Sequence, residues 1–115
     1  VLVYQLSNWL NSDKIIIPEN VLNKEPSAEL RPDQKDTDSL PPYELLDPVL
    51  LSYIEEDASL EEIKVAGLSK AETQRIARLV DLSEYKRRQG PPGIKITPKA
   101  FGKDRRLPIT NRFKP

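Results

Sequence analysis

Apolar positions in the opening VLVYQLSNWLN recur at helical spacing. Leu2, Leu6, Trp9 and Leu10 share a face, with Val3 beside them and Gln5, Ser7 and Asn8 opposite. The pattern predicts an amphipathic helix. KIIIP, residues 14–18, is β-branched and closed by Pro18, and reads either as a short buried strand or as an extended link. PENVL then places Pro18 at a plausible first helical position, where its missing N–H costs nothing.

Between 26 and 43 the apolar pattern stops. PSAELRPDQKDTDSLPPY carries four prolines and the carboxylates Glu29, Asp33, Asp36 and Asp38. A loop of this length inside a compact domain is uncommon unless it is a lid, a binding loop or disordered. The prolines restrict it to a few shapes, which suits a lid closing over a ligand. Helical spacing returns at 47: Asp47 reads as the cap, Pro48 as the first helical residue, and Val49, Leu50, Tyr53 and Ile54 as the buried stripe. Pro41 and Pro42 set 43–46 apart as a turn or kinked lead-in.

SLEE at 59–62 has the form of a capping box and predicts a short helix with Leu60, Ile63 and Ala66 inward and Gly67 as its left-handed stop. SKAE at 69–72 is a second box. It opens a helix with Thr73, Ile76, Ala77 and Val80 on one face and Lys70, Gln74 and Arg78 on the other, reaching toward Tyr85. Three helices between 47 and 85 make a small antiparallel unit that buries little surface alone. Past Tyr85, five prolines and three glycines separate the single apolar residues Ile94, Ile96, Phe101, Leu107, Ile109 and Phe113. This predicts an extended arm, laid on a protein surface through those anchors. The expected organisation is mainly α, about four helices with a long polar loop: a helical part over 1–85, including a loop at 23–42, and a basic arm over 86–115.

Charge sharpens the division. Residues 86–115 hold ten Lys/Arg against one Asp, leaving eight against seventeen in 1–85. A basic tail on an acidic body suits an anionic partner, whether a nucleotide, a nucleic acid or the chain's own acidic surface. With no cysteine and no histidine, disulfides, thiolate metal sites and histidine acid–base chemistry are excluded from this segment. No apolar run approaches the ~18 residues of a membrane span, and the N-terminus lacks the features of a signal peptide, so the chain reads as soluble and cytoplasmic. It opens without Met and already in an apolar periodic pattern, as expected of a stretch within a larger protein.

Several motifs admit two readings. SLEEIKVAGL followed by SKAETQRIARLV has the size of a helix-turn-helix; the plainer account is two capped helices sharing a core, and EEDASLEE beside them would repel phosphate. EYKRRQ at 84–89 is either solvated charge favoured by a helix C-terminus or a grip on phosphate or carboxylate. Ser27 offers a hydroxyl to a phosphate. Asp33, Asp36 and Asp38 either hold magnesium or keep the loop solvated.

KEPSAELRPDQKDTDSLPPYELLDPVL, together with LVDLSEYKRRQGPPGIKITPKAFGKDRRLPITNRF, closely resembles the end of the synthetase domain of bacterial glutamine-dependent NAD synthetases, with VYQLSNWLN matching the helix before the loop. The resemblance implies an α/β adenine-nucleotide α-hydrolase-like parent domain of the PP-loop ATP pyrophosphatase group. It also implies a ligase that adenylylates deamido-NAD with ATP and amidates it with ammonia made from glutamine by a separate glutaminase domain. By position, Ser27 of PSAEL resembles the hydroxyl that contacts ATP and Lys86 of EYKRR the lysine that contacts deamido-NAD. The loop 23–42 resembles the mobile lid, with Gln34 and Asp36 among its residues. No catalytic residue and no metal ligand is expected here; ATP and Mg belong to the whole enzyme. The SGGxDS phosphate loop, the parallel sheet and the glutaminase residues are absent from this sequence, so the segment alone is expected to be inactive. A homo-oligomer is expected, with no nucleic acid and no membrane among its partners, and Arg105 and Arg106 are candidates for an interface with another domain or subunit. Two other readings stay open: a stand-alone helical module whose arm recruits a partner, and a nucleic-acid-binding helical domain.

Overall fold

The computed structural model describes residues 1–100 and 102–110 and divides the chain into two compact units, Val1–Glu44 and Leu45–Pro115. Among the described residues every regular element is helical.

In the first unit, helix α1 (Leu2–Leu10) forms where the spacing placed it, with no buried residue. The side chain of Asn11 organises the segment beyond its end. Its Oδ1 accepts from the backbone N–H groups of Ile16 and Ile17 at 3.0 and 2.9 Å, and its Nδ2 donates to the Ile17 carbonyl at 2.9 Å. Residues 14–17 are therefore the extended link and not a buried strand: Ile15 and Ile16 are 75% and 64% exposed. Helix α2 (Glu19–Asn23) starts one residue later than expected, with Pro18 as its extended cap. The Pro18 carbonyl accepts from Val21 and Leu22.

Helix α3 (Tyr43–Leu50) corrects the expected start at Pro48. It begins directly after Pro42 and carries Pro48 inside it. Pro48 has no N–H for the Glu44 carbonyl, and the coil widens just beyond it into a π-helix, Leu51–Glu55, where the Glu56 N–H bonds Leu51 at 3.2 Å. Burial of Leu46, Val49, Tyr53 and Ile54 along one stripe sustains the helix through the interruption. Leu50, expected in that stripe, is half-buried.

The SLEE box also departs from expectation. Glu62 accepts from the Ser59 N–H at 2.8 Å and its hydroxyl at 2.7 Å, but the chain completes a single turn. Of Leu60, Ile63 and Ala66 only Ile63 is buried, so no apolar stripe extends the helix. Gly67, at φ 92°, instead turns the chain, and the Leu68 N–H donates to the Val65 carbonyl across the turn at 3.1 Å. The expected three-helix unit is thus two helical rods and a turn, and the helix-turn-helix reading loses its first helix.

Helix α4 (Lys70–Leu82) opens as predicted: Ser69 accepts from the Glu72 N–H at 3.3 Å, Glu72 accepts from the Ser69 N–H at 2.8 Å, and Thr73, Ile76 and Ala77 are buried; Val80 of the same face is half-buried and the helix stops at Leu82, short of Tyr85. Ser69→Ala is expected to cost about 1 kcal/mol, seen as a lower urea midpoint at unchanged slope. After Ser83, helix α5 (Glu84–Gln89) carries the chain four residues past the expected start of the arm. Residues 91–100 and 102–110 contain no helix or strand. Ile94 and Ile96 are 92% and 73% exposed, so within this chain they anchor nothing; Phe101 and Phe113 lie outside the described residues.

Candidate functional site

The polar loop holds its shape through its own side chains. The Asp36 N–H bonds the Pro26 carbonyl at 2.9 Å, closing the loop at its base, and the Asp36 carboxylate accepts from the Tyr43 hydroxyl. Gln34 Oε1 accepts from the Leu30 N–H at 2.9 Å. Asp38 accepts from the Lys35 N–H at 3.1 Å and from Arg31 at 3.3 Å, while Lys35 pairs with Glu25. Lys24 donates to Glu29 at 2.6 Å, and that hydrogen bond and charge hold the Glu29 carboxyl below the usual carboxylate range. Glu29 and Asp33 are left-handed, at φ 53° and 55°, and make the sharp bends.

Within this frame half-buried Ser27 accepts the Glu29 N–H on its Oγ at 3.0 Å. That bond fixes the oxygen and leaves the hydroxyl proton to point at an acceptor such as a phosphate. Asp36 and Tyr43 line a shallow hollow of about 260 Å³ with Tyr4, Pro26 and Pro42, one residue from Ser27 along the chain. Asp36 and Asp38 are engaged by a hydroxyl and by Arg31 and Lys35. Among the described residues no group of three or more Asp, Glu, His or Cys is arranged to hold a metal.

In the second unit the KRR run separates into two kinds of cation. Arg87 and Arg88 both pair with Glu84, which is 2% exposed; Arg87 turns inward, while Arg88 stays exposed with its Nε 3.0 Å from the carboxylate. Burial opposes the charge on Glu84. The Arg88 hydrogen bond, the Arg87 charge and the Leu107 N–H outweigh it and hold the carboxyl below its ordinary value. Lys86 is exposed on α5, its ammonium 5.9 Å from the Tyr85 ring centre. Two of the three cations are therefore tied to Glu84, and Lys86 is not. Ser27, Gln34 and Asp36 belong to the first unit and Lys86 to the second.

Residue patterns did not single out the charges that hold the arm. Arg105 stacks on Tyr53 with its guanidinium 4.2 Å from the ring centre, donates to the Tyr53 carbonyl at 3.1 Å, and lies 3.7 and 3.9 Å from Asp57 and Asp81. These contacts are all within its own chain; Arg106 is exposed. Glu55 accepts from the Thr97 hydroxyl at 2.8 Å and the Lys99 N–H at 3.1 Å, and Lys99 pairs with Asp57. The one signal in the sequence was the opposed charge of body and arm. Among the described residues no helix is long and apolar enough to cross a membrane.

Known proteins share this segment. The sequence model of a family described as NAD synthase matches residues 1–90. The chain is 49% identical over 116 residues to the glutamine-dependent NAD(+) synthetase of Acinetobacter baylyi, covering 99% of this chain and 21% of that protein. It is 52% identical over 111 residues to the Aquifex aeolicus protein of the same name, covering 96% and 20%. A solved structure of the glutamine-dependent NAD+ synthetase from Acinetobacter baumannii in complex with ADP superimposes with a TM-score of 0.58 at 39% identity, over 96% of this chain and 19% of that one. The chain thus spans about a fifth of the length of these relatives.

Proposed function

Because the chain belongs to the NAD synthase family, we propose that it forms the lid and C-terminal helical part of a glutamine-dependent NAD synthetase. The domain it completes is α/β and adenine-nucleotide α-hydrolase-like, with the sheet and phosphate loop contributed by the rest of the enzyme. What supports this most is a match along nearly the whole chain at about half identity to proteins carrying that name. The reaction is ATP-dependent amide formation. A carboxylate oxygen of deamido-NAD attacks the α-phosphorus of ATP and pyrophosphate leaves. Ammonia then attacks the acyl carbon, the C–O bond to AMP breaks, and loss of a proton leaves the amide.

Each residue has a part that its local geometry suits. Ser27, its oxygen held by the Glu29 N–H, donates its proton to an ATP phosphate. Lys86, the cation of α5 not tied to Glu84, meets deamido-NAD. Gln34 and Asp36 shape the lid, residues 23–42, whose closure excludes water and strengthens each charge contact beneath it. Magnesium would accompany the polyphosphate in the whole enzyme, and no step here runs through it. Glutamine-derived ammonia, a glutaminase domain, a second copy in a homo-oligomer and the cytoplasm complete the reading; the basic arm, 86–115, belongs with the glutamine-fed form. The segment alone is inactive.

The test is a chimera in which this chain replaces the matching segment of the Acinetobacter baylyi enzyme. NAD formation is expected to persist. Ser27→Ala should raise KM for ATP and Lys86→Met KM for deamido-NAD, each about tenfold, as for loss of a hydrogen bond involving a charged group. A folded chimera in which neither substitution moves either KM would remove both assignments.

A further inference from the structure

Glu84 is the buried charge that the reaction leaves unused. Two guanidinium groups converge on it, through Arg87 Nη2 and Arg88 Nε. The arginines continue beyond it, Arg87 Nη1 to the Arg105 carbonyl at 3.4 Å and Arg88 Nη2 to the Leu107 carbonyl at 2.7 Å. The two arginines held by this one carboxylate thereby tie the arm at 105–107 to α5. That helix has six residues, too few to hold a direction by its own hydrogen bonds, so its pose is set by what it is tied to. Lys86 sits on the same turn, between the exposed Tyr85 ring and the inward Arg87.

We propose that Glu84 is a positioning residue for deamido-NAD: it clamps the arm against α5 and so fixes how Lys86 is presented to the substrate. The inference rests on the assignment of Lys86 to that substrate. Without the carboxylate, two guanidinium groups would face each other beside α5 with no anion between them.

The experiment uses the chimeric enzyme fed ammonium chloride in place of glutamine, so that ammonia transfer plays no part. Glu84→Gln keeps the size of the side chain and removes its charge; KM for deamido-NAD is expected to rise about tenfold, with KM for ATP and kcat within about twofold. Arg88→Met keeps Glu84 and Arg87 but frees the Leu107 carbonyl, and is expected to give about a threefold rise in the same KM. Should Glu84→Gln fail to fold, Arg88→Met decides alone, and an unchanged KM for deamido-NAD overturns the proposal. A fall in kcat with both KM values unchanged also overturns it, since that is what a merely structural role would produce. If Lys86→Met leaves KM for deamido-NAD unchanged, the Lys86 assignment itself falls. If Lys86→Met raises it while Glu84→Gln and Arg88→Met do not, the clamp alone falls.

Discussion

Ile76→Ala is expected to destabilise the second unit by about 2–5 kcal/mol, as for other large-to-small changes in a closed core. Ile76 is 2% exposed and belongs to the same buried set as the stripe of α3 and the π-helix, where Val49 is fully buried. The whole buried apolar set is Leu46, Val49, Tyr53, Ile54, Ile63, Ile76 and Ala77 among the described residues, so few other side chains compensate. Domains have only about 5–15 kcal/mol of stability in all, and small ones sit at the low end. Thermal melting followed by helical circular dichroism should show the transition lost or shifted far down. Ile76→Val, which removes one methylene, should cost only about 0.5–1.5 kcal/mol. Equal melting temperatures for Ile76→Ala and the parent would mean that α4 does not close this core.

The second large effect is expected of Arg105→Ala, and it is local. One guanidinium stacks on the Tyr53 ring, bonds the Tyr53 carbonyl and stands between Asp57 and Asp81. A desolvated cation–ring contact contributes about 2 kcal/mol, and a hydrogen bond to a charged group about 1.5–3 kcal/mol. These are lost together, and what they hold is the arm. Hydrogen exchange should then lose protection at the Lys99 and Leu107 amides while the α4 amides keep theirs. The Tyr53 phenol gives an independent reading. Burial, then the hydrogen bond and charge of Asp81, push it up, and Arg105 opposes them; its removal should raise the phenol further, visible in a tyrosinate absorbance titration. Arg105→Lys keeps the charge without the planar fork and should fall between the two. Unchanged exchange in the arm would show that Arg105 does not hold it.

Legibility from residues alone tracks the range over which each force acts. α1 and α4 were legible because an apolar period, or a box such as Ser69–Glu72, acts within one or two turns. α3 was displaced because Pro48 was given its usual place at a first turn, while burial of Leu46 and Val49 carries the helix back to Tyr43. SLEE has all the local chemistry of a cap and no apolar stripe behind it, and local chemistry cannot report what lies behind it. Of the site, Ser27, Gln34, Asp36 and Lys86 were placed by resemblance, and local geometry then separated Lys86 from its neighbouring arginines. Glu84 carries no sequence signal of its burial: its arginine neighbours look like solvated charge until the carbonyls of Arg105 and Leu107, 18 and 19 residues from their donors, come into reach. Pairings across such separations leave only a faint trace, the opposition of an acidic body and a basic arm.

The grip of Asn11 on the isoleucine link bears on how the protein behaves at concentration. Consecutive β-branched residues with open backbone groups are the seed of cross-chain strand addition and fibril formation. Here the N–H groups of Ile16 and Ile17 and the Ile17 carbonyl are already taken by one amide side chain, and Pro18 comes next with no N–H to offer. Ile15 and Ile16 thus face solvent beside a backbone edge already partly occupied, and the same amide that ends a helix takes up three of the polar groups on which a neighbouring strand would align.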